Sequence, residues 1–114
     1  LYDPVVQAVA AVHAGWRSTV KKIVQKTVNR MHEEFGTESS RLIAAIGPAI
    51  GPECYEVDEP VMGPVRDSFS FWREVSAPRG TDRWGLDLVK ANKLELMQIG
   101  LSGKNIHSAR GVWP

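Results

Sequence analysis

The feature that most constrains this chain is a run of small and β-branched residues, Val5 to Val12, followed directly by His13-Ala14-Gly15-Trp16-Arg17. Gln7 is the only polar residue of the run, which is typical of a strand that is buried on both faces. Gly15 ends the strand, and the segment after it has the periodicity of a helix. The pattern predicts a buried strand that delivers a histidine and an arginine to the start of a helix.

The helix is predicted to run from Ser18 to Phe35. Its apolar residues recur at steps of three and four, so they form one stripe: Val20, Ile23, Val24, Thr27, Val28, Met31 and Phe35. The hydroxyl of Ser18 or Thr19 is the expected N-cap, and Gly36 is the expected stop. We expect this stripe to cover one face of a sheet and to be buried at Val20, Ile23, Val24, Val28 and Met31.

Two further strands are predicted. Leu42 to Ile46 has the composition of a buried strand, expected beside Val5 to Val12, and Asn105 to Ala109 is a candidate for a last strand. The order of strand, helix and strand indicates a crossover unit. The expected fold class is therefore α+β, with a mixed β-sheet covered by helices.

Two further helices are predicted. Asp58 or Glu59 opens the first, which Gly63 and Pro64 should weaken. Asp87 caps the second, which should end at Gly100 and face inward with Leu88, Ala91, Leu94, Met97 and Ile99. The residues from Phe69 to Asp82 have no regular pattern and are expected to be a loop.

The composition limits the function classes. The 114 residues suffice for one small domain, and a net charge of +1 gives no indication of a nucleic-acid or membrane partner. No apolar run approaches the roughly 20 residues of a membrane span. A single cysteine is consistent with a reducing compartment, so a cytoplasmic protein is expected. The oligomeric state is not indicated.

Three residues of the first motif are candidates for chemistry. His13 is a candidate metal ligand, and its alternative is a hydrogen-bonded histidine at the end of a strand. Arg17, beside the free N–H groups of a helix start, is a candidate anion site for phosphate or carboxylate. Its alternative is an ordinary ion pair. Trp16 is placed either to stack on a planar ligand or to pack at the rim of the core.

A second candidate region is the rigid loop Gly47-Pro48-Ala49-Ile50-Gly51-Pro52. Its glycines permit a close approach of backbone N–H groups to a ligand, and the alternative is a structural turn. Cys54, which follows this loop, is either a nucleophile or a small buried residue. We expect His13, Arg17 and the loop from Gly47 to Gly51 to converge on one cleft at the ends of the strands.

Three ordered motifs resemble the YfiH-like laccase-domain family. They are Ala10-Ala11-Val12-His13-Ala14-Gly15-Trp16-Arg17, the stretch from Ile46 to Val57, and Gly85-Leu86-Asp87-Leu88 followed by Ala91-Asn92 and Leu94. The resemblance covers the chain up to about Ile106. One departure is Ser18, where the family usually has glycine. The resemblance implies a partial domain of this family that lacks the N-terminal part and the extreme C-terminus.

The resemblance also implies an activity and a metal. The family is associated with purine nucleoside phosphorylase and adenosine deaminase activity on adenosine, inosine or methylthioadenosine, with phosphate as the second substrate. Its metal, usually zinc with copper as the alternative, is held by two histidines and a cysteine, and His13 matches the last of these ligands. The other two ligands are expected to lie before residue 1, and Cys54 matches neither. By itself the chain is therefore expected to be inactive and poorly folded.

The site that follows from both arguments has three parts. His13 is the expected metal ligand and Arg17 the expected catalytic residue. Gly15, Trp16, Gly47 and Pro48 are the expected substrate-binding residues. The resemblance leaves three other functions open, namely copper-dependent polyphenol oxidation, editing of peptidoglycan precursors and a non-catalytic binding role. The first needs many more histidines than the three that are present.

Overall fold

The computed structural model describes residues 1–47, 52 and 55–109. The strands are β1 (Tyr2–Asp3), β2 (Ala8–Val9), β3 (Ala44–Ile46), β4 (Glu56–Val57), β5 (Ser76–Pro78), β6 (Trp84–Leu86) and β7 (Ile106–Ser108). The helices are α1 (Trp16–Val20), α2 (Ile23–Phe35), α3 (Glu59–Ser68) and α4 (Leu88–Gln98). Short 3₁₀ turns lie at Ser39–Arg41, Trp72–Glu74 and Gly103–Asn105. The fold is α+β, with helices packed on small sheets, as expected.

The strands form two arrays. In the first, β1 pairs antiparallel with β2, an antiparallel bridge joins Tyr2 to Ile43, and β3 pairs parallel with β7. This array mixes antiparallel and parallel pairing, as the sequence predicts. In the second, β6 lies between β4 and β5, and both pairings are antiparallel.

The predicted strand from Val5 to Val12 is wrong over its first half. Residues 4–7 form a turn between β1 and β2, and Val5 and Val9 are 67% and 74% exposed. The cause is the side chain of Asp3, whose Oδ1 accepts a hydrogen bond from the backbone N–H of Val5 at 3.0 Å. This Asx-type contact closes the turn and overrides the β propensity of the valines.

The predicted helix from Ser18 to Phe35 is two helices. Lys22 has a left-handed backbone, φ +61°, so α1 and α2 are separate elements joined at this residue. Gly15 rather than Ser18 or Thr19 is the N-cap of α1. Val24, Val28 and Met31 of α2 are buried as predicted, whereas Val20 of α1 and Ile23 of α2 are only half-buried. Gly36 ends α2 with φ +69° and donates to the carbonyl of His32, as a C-terminal glycine should.

The predicted loop from Phe69 to Asp82 contains β5, and β3 is not beside β2 as expected, because β1 pairs with β2 and bridges to Ile43 between them. The two other predicted helices are present. Asp87 caps α4, since its Oδ1 accepts from the N–H of Lys90 at 2.9 Å. Met97 is the exception on that helix, because it is 44% exposed. The helix α3 begins after Asp58 and continues through Pro64, so the expected weakness there is wrong. Burial of Met62 and Val65 on either side of the proline anchors it.

Two apolar clusters form the core. The first joins β2, α2, β3 and β7, and the second joins β4, α3, β6 and the loop between α3 and β5. The helix α4 contributes Leu96 to the first cluster and Ala91 to the second. None of the described helices combines the length and the apolar character that a bilayer crossing requires.

Candidate functional site

His13 lies at the end of the extended segment that follows β2. Exposure alternates along this segment: Ala8 is buried, Ala10 and Val12 are half-buried, and Val9, Ala11 and His13 are exposed. Alternation of this kind shows that successive side chains point to opposite faces. His13 is therefore on the same face as Val9 and Ala11, and Ala8, Ala10 and Val12 face the core.

A cleft of about 670 Å³ separates this segment from β3. His13 and Gly47 both line it, and so do Ala10 and Ala45 from the two walls. Its floor consists of apolar side chains from the helices, among them Val24, Leu88 and Leu96. The structure thus brings His13 and Gly47 together, as the sequence predicts.

Arg17 is not among the described residues that line this cleft, and its expected convergence with the loop from Gly47 to Gly51 stays a prediction because residues 48–51 lie outside the described residues. Its guanidinium lies over the ring of Trp16, 4.7 Å from the ring centroid. Its charge also acts on the half-buried phenol of Tyr55: burial raises the pKa of Tyr55, and Arg17 partly opposes this. Arg17, Trp16 and Tyr55 therefore form a separate group beside the cleft.

The start of α1 contributes less to an anion site at Arg17 than the sequence suggests. The helix has five residues and no side-chain cap, so its dipole is small. Ser18 does not cap it either. Its hydroxyl lies 3.3 Å from the carbonyl oxygens of His13 and Gly15 and donates to them, which fixes the turn between them. Attraction of an anion here depends on the guanidinium of Arg17 itself.

Gly15 keeps space open next to the imidazole. A Cβ on Gly15 would lie 3.9 Å from Nε2 of His13, an ordinary contact distance. The remaining loop residues of the prediction, Pro48 among them, lie outside the described residues, as does Cys54. Their expected roles stay predictions.

A polar pair beneath the cleft was missed by the sequence analysis. Nδ2 of Asn92, a buried residue that lines the cleft, donates to Oγ1 of Thr19 at 3.2 Å and to the carbonyl of Leu88 at 2.9 Å. This pair ties α1, which carries Arg17, to α4. The signal for it was an asparagine on the buried face of α4, because a buried amide needs a hydrogen-bond partner.

The described residues do not complete a metal site. No group of three or more His, Cys, Asp or Glu side chains lies together in residues 1–47, 52 and 55–109. Nδ1 of His32 is engaged with the carbonyl of Thr37 at 2.9 Å, and His107 is exposed on β7. A catalytic zinc ion needs three protein ligands, so His13 by itself does not fit one.

Known proteins resemble the chain along almost its full length. A purine nucleoside phosphorylase of Bacteroides thetaiotaomicron is 36% identical over 111 residues, covering 96% of this chain and 41% of that protein. Purine nucleoside phosphorylase YlmD of Bacillus subtilis is 39% identical over 106 residues, covering 92% and 38%. Adenosine deaminase RL5, from an unknown prokaryotic organism, is 36% identical over 107 residues, covering 93% and 40%. The chain thus spans well under half the length of these relatives.

The fold and the family agree with these relatives. The crystal structure of the hypothetical protein YfiH of Bacillus licheniformis superposes with a TM-score of 0.92 at 28% identity, covering 97% of this chain and 42% of that one. The sequence model of the family described as multi-copper polyphenol oxidoreductase laccase matches residues 1–111. The chain therefore belongs to this family, the YfiH-like laccase-domain family that its histidine and arginine motif resembles.

Proposed function

We propose that the chain is part of a purine nucleoside phosphorylase that acts on adenosine, inosine or methylthioadenosine. In this reaction an oxygen of phosphate bonds to C1′ of the ribose while the bond from C1′ to the purine nitrogen breaks. The departing base takes up a proton, and the products are the free purine and a ribose 1-phosphate. The names of the relatives from Bacteroides thetaiotaomicron and Bacillus subtilis support this class of reaction.

The proposal rests on the exposure and the contacts of the Arg17 side chain. Its side chain is exposed, lies on an aromatic ring, and has no carboxylate partner among the described residues. Its N–H donors are thus available for a bidentate contact with phosphate, which arginine makes better than lysine. Arg17 is the proposed catalytic residue because this contact would hold the attacking phosphate.

The remaining proposed roles concern the nucleoside. Gly15 and Gly47 flank His13 and leave the backbone accessible to a ligand, and Pro48 continues this loop. Trp16 is the proposed stacking surface for the purine, with its other face against Arg17. His13 is the one proposed metal ligand of the chain, for zinc or alternatively copper, and the phosphorolysis steps above do not depend on it. The partners are small molecules, and a cytoplasmic location remains a prediction.

Phosphate kinetics test the role of Arg17. Arg17→Lys keeps the positive charge but removes the paired N–H donors of the guanidinium. We therefore expect the KM for phosphate in adenosine cleavage to rise about tenfold or more. Arg30→Lys is the matched control, because Arg30 is exposed on α2 and pairs with Glu34 of the same helix at 3.0 Å. The readout is ribose 1-phosphate formed by the full natural polypeptide. Equal KM values for the two variants would remove Arg17 from the phosphate site.

Deamination of adenosine is the second candidate, since one relative is named adenosine deaminase RL5. Its product is inosine with release of ammonia, which distinguishes it from phosphorolysis in the same assay. Copper-dependent oxidation of phenols, which the description of the family suggests, is the third. Copper binds adventitiously because it tops the divalent affinity series. Metal analysis of protein purified without added copper, for His13→Ala beside His107→Ala, therefore separates a zinc protein from a copper oxidase.

A further inference from the structure

The short helix α1 cannot hold its own orientation. It has five residues and no side-chain cap, whereas isolated helices need roughly 12–15 residues before they are even marginally stable in water. The orientation of α1 therefore depends on the helices packed around it, which are α2, α3 and α4. On α1 itself Thr19 is buried, with 2% of its surface exposed, and Arg17 is exposed.

Thr19 and Arg17 lie on opposite sides of α1. Successive residues of an α-helix are rotated by about 100°, so residues two positions apart are separated by about 200°. Thr19 is directed to α4, and Arg17 is directed to solvent. A rotation of α1 about its axis moves both side chains together. The contact that fixes Thr19 therefore also fixes the direction of Arg17.

The contact of Thr19 with α4 is a directed hydrogen bond. Nδ2 of Asn92, a residue that is 7% exposed, donates to Oγ1 of Thr19 at 3.2 Å and to the carbonyl of Leu88 at 2.9 Å. The carbonyl of Leu88 only accepts, so it orients the amide and keeps Nδ2 beside Thr19. Within the described part of the chain, no other side-chain hydrogen bond joins α1 to another helix.

We propose that Asn92 and Thr19 are positioning residues for phosphate binding. Their hydrogen bond fixes the rotation of α1 and thereby the direction of the Arg17 guanidinium. Neither side chain touches the reacting atoms. The inference rests on the proposed contact of Arg17 with phosphate, and it assigns the geometry of that contact to a buried pair 73 positions apart in the chain.

A fixed direction matters because a bidentate contact is geometrically strict. Two N–H donors of the guanidinium must point at two phosphate oxygens at once. The guanidinium of Arg17 lies over the ring of Trp16, 4.7 Å from the ring centroid, and both residues belong to α1. A helix that is free to rotate loses that freedom when phosphate binds, which weakens binding. Loss of the buried pair should therefore act on phosphate affinity rather than on bond cleavage.

Thr19→Val and Thr19→Ser in the full natural polypeptide separate positioning from stability. Valine removes the acceptor, and serine keeps it but loses a methyl group, so both variants should have a lower Tm. We expect only Thr19→Val to raise the KM for phosphate, about fivefold or more, with kcat nearly unchanged. Thr27→Val is the matched control, because Oγ1 of Thr27 donates within its own helix, to the carbonyl of Ile23 at 2.8 Å. Equal KM values for Thr19→Val and Thr19→Ser would overturn the inference.

Combination with Arg17→Lys shows whether the pair acts through Arg17. We expect Thr19→Val to raise the KM for phosphate much less in the Arg17→Lys protein than in the wild type, since the guanidinium is already gone. Rises that multiply would overturn the inference and leave the proposed function intact, because Thr19 would then act independently of Arg17. Equal KM values for Arg17→Lys and the wild type would instead overturn the proposed function, and this inference with it.

An NMR measurement tests the geometry without turnover. The ring current of Trp16 shifts the signal of the Nε–H group of Arg17. We expect Thr19→Val to move this signal towards that of an unstructured arginine, whereas Thr27→Val should leave it in place. Thr19→Val combined with Asn92→Leu leaves no unpaired buried donor, so it should regain stability but not the wild-type signal. A wild-type signal in either Thr19→Val protein would show that the pair only stabilises the fold and would overturn the inference.

Discussion

The carboxylate of Asp3 shows how one side chain fixes the start of the fold. It is fully buried, and it accepts from Nε and Nη2 of Arg41 at 3.0 to 3.1 Å. It also accepts from the N–H of Val5, so it holds the turn between β1 and β2 against the segment before β3. These hydrogen bonds, with those from Arg41 the largest cause, lower the pKa of Asp3 from its ordinary 3.8 to about 2.

Asp3 should make stability depend on pH in acid. Because its pKa is lower in the folded protein than in the unfolded chain, its contribution is complete above about pH 4 and is lost as the pH falls through about 2. We expect urea midpoints of the wild type to fall between pH 4 and pH 2. Asp3→Asn should be less stable at pH 7 and should lose most of this dependence. A parallel fall in both proteins would contradict the assignment.

Glu95 makes the opposite contribution. It is buried on α4, and burial raises its pKa, while the charge of Lys22 opposes the shift. A carboxyl whose pKa is raised by folding stabilises the protein less as the pH rises through its unfolded value. We therefore expect Glu95→Gln to raise the Tm at pH 7, and to do so less at pH 4. Exposed Glu33→Gln on α2 is the control, and an equal gain there would assign the effect to net charge alone.

At the level of elements, the caps at Gly36 and Asp87 were predicted correctly, whereas neither Ser18 nor Thr19 caps α1. Gly36 and Asp87 were identified from local chemistry, because a left-handed C-terminal residue and an N-cap acceptor need only their own helix. The strand prediction for residues 5–12 failed because the conformation of this segment depends on Asp3 and its partner Arg41, which are 38 residues apart in the chain. A contact at that separation leaves no periodicity in the sequence.

The candidate site, like the helices and strands, could be predicted only in part from the sequence. His13 and Gly47 line one cleft because each ends one of the two backbone segments that flank it. Arg17 lies over Trp16 in the short helix α1, which the break at Lys22 separates from α2, and its role in the site stays a prediction. The pairing of Asn92 with Thr19 joins residues 73 positions apart, which no local pattern reveals.

The break between α1 and α2 is itself testable. Lys22 has φ +61°, and a left-handed conformation costs a residue with a Cβ roughly 1–2 kcal/mol. Glycine avoids this cost but loses about 0.5–1 kcal/mol of backbone entropy on folding. We expect Lys22→Gly to be more stable than Lys22→Ala by about 0.5–1 kcal/mol in urea unfolding, since both variants lack the charge near Glu95. An alanine variant of equal or greater stability would show that the junction is not strained.

For the whole molecule, the two core clusters are linked through α4, and a large cleft remains beside the first one. The Cα radius of gyration is 14.6 Å, above the roughly 13 Å of a compact domain of this length. Apolar residues of the first array are exposed, among them Tyr2, Val9 and Ile43. Much of the surface that folding normally buries is therefore still in contact with solvent.

This incomplete burial should reduce the heat-capacity change of unfolding. A compact domain of this size unfolds with a heat-capacity change of about 1.4–1.7 kcal/mol/K, because newly exposed apolar surface becomes hydrated. Residues 1–114 already expose part of that surface at the cleft and at Val9, so we expect a clearly smaller value, a broad calorimetric transition and binding of an apolar dye before unfolding. We also expect no phosphorolysis of adenosine by these residues alone, since they correspond to only 41% of the length of the phosphorylase from Bacteroides thetaiotaomicron. A sharp transition with the full heat-capacity change, accompanied by adenosine turnover, would show that residues 1–114 form a complete catalytic unit.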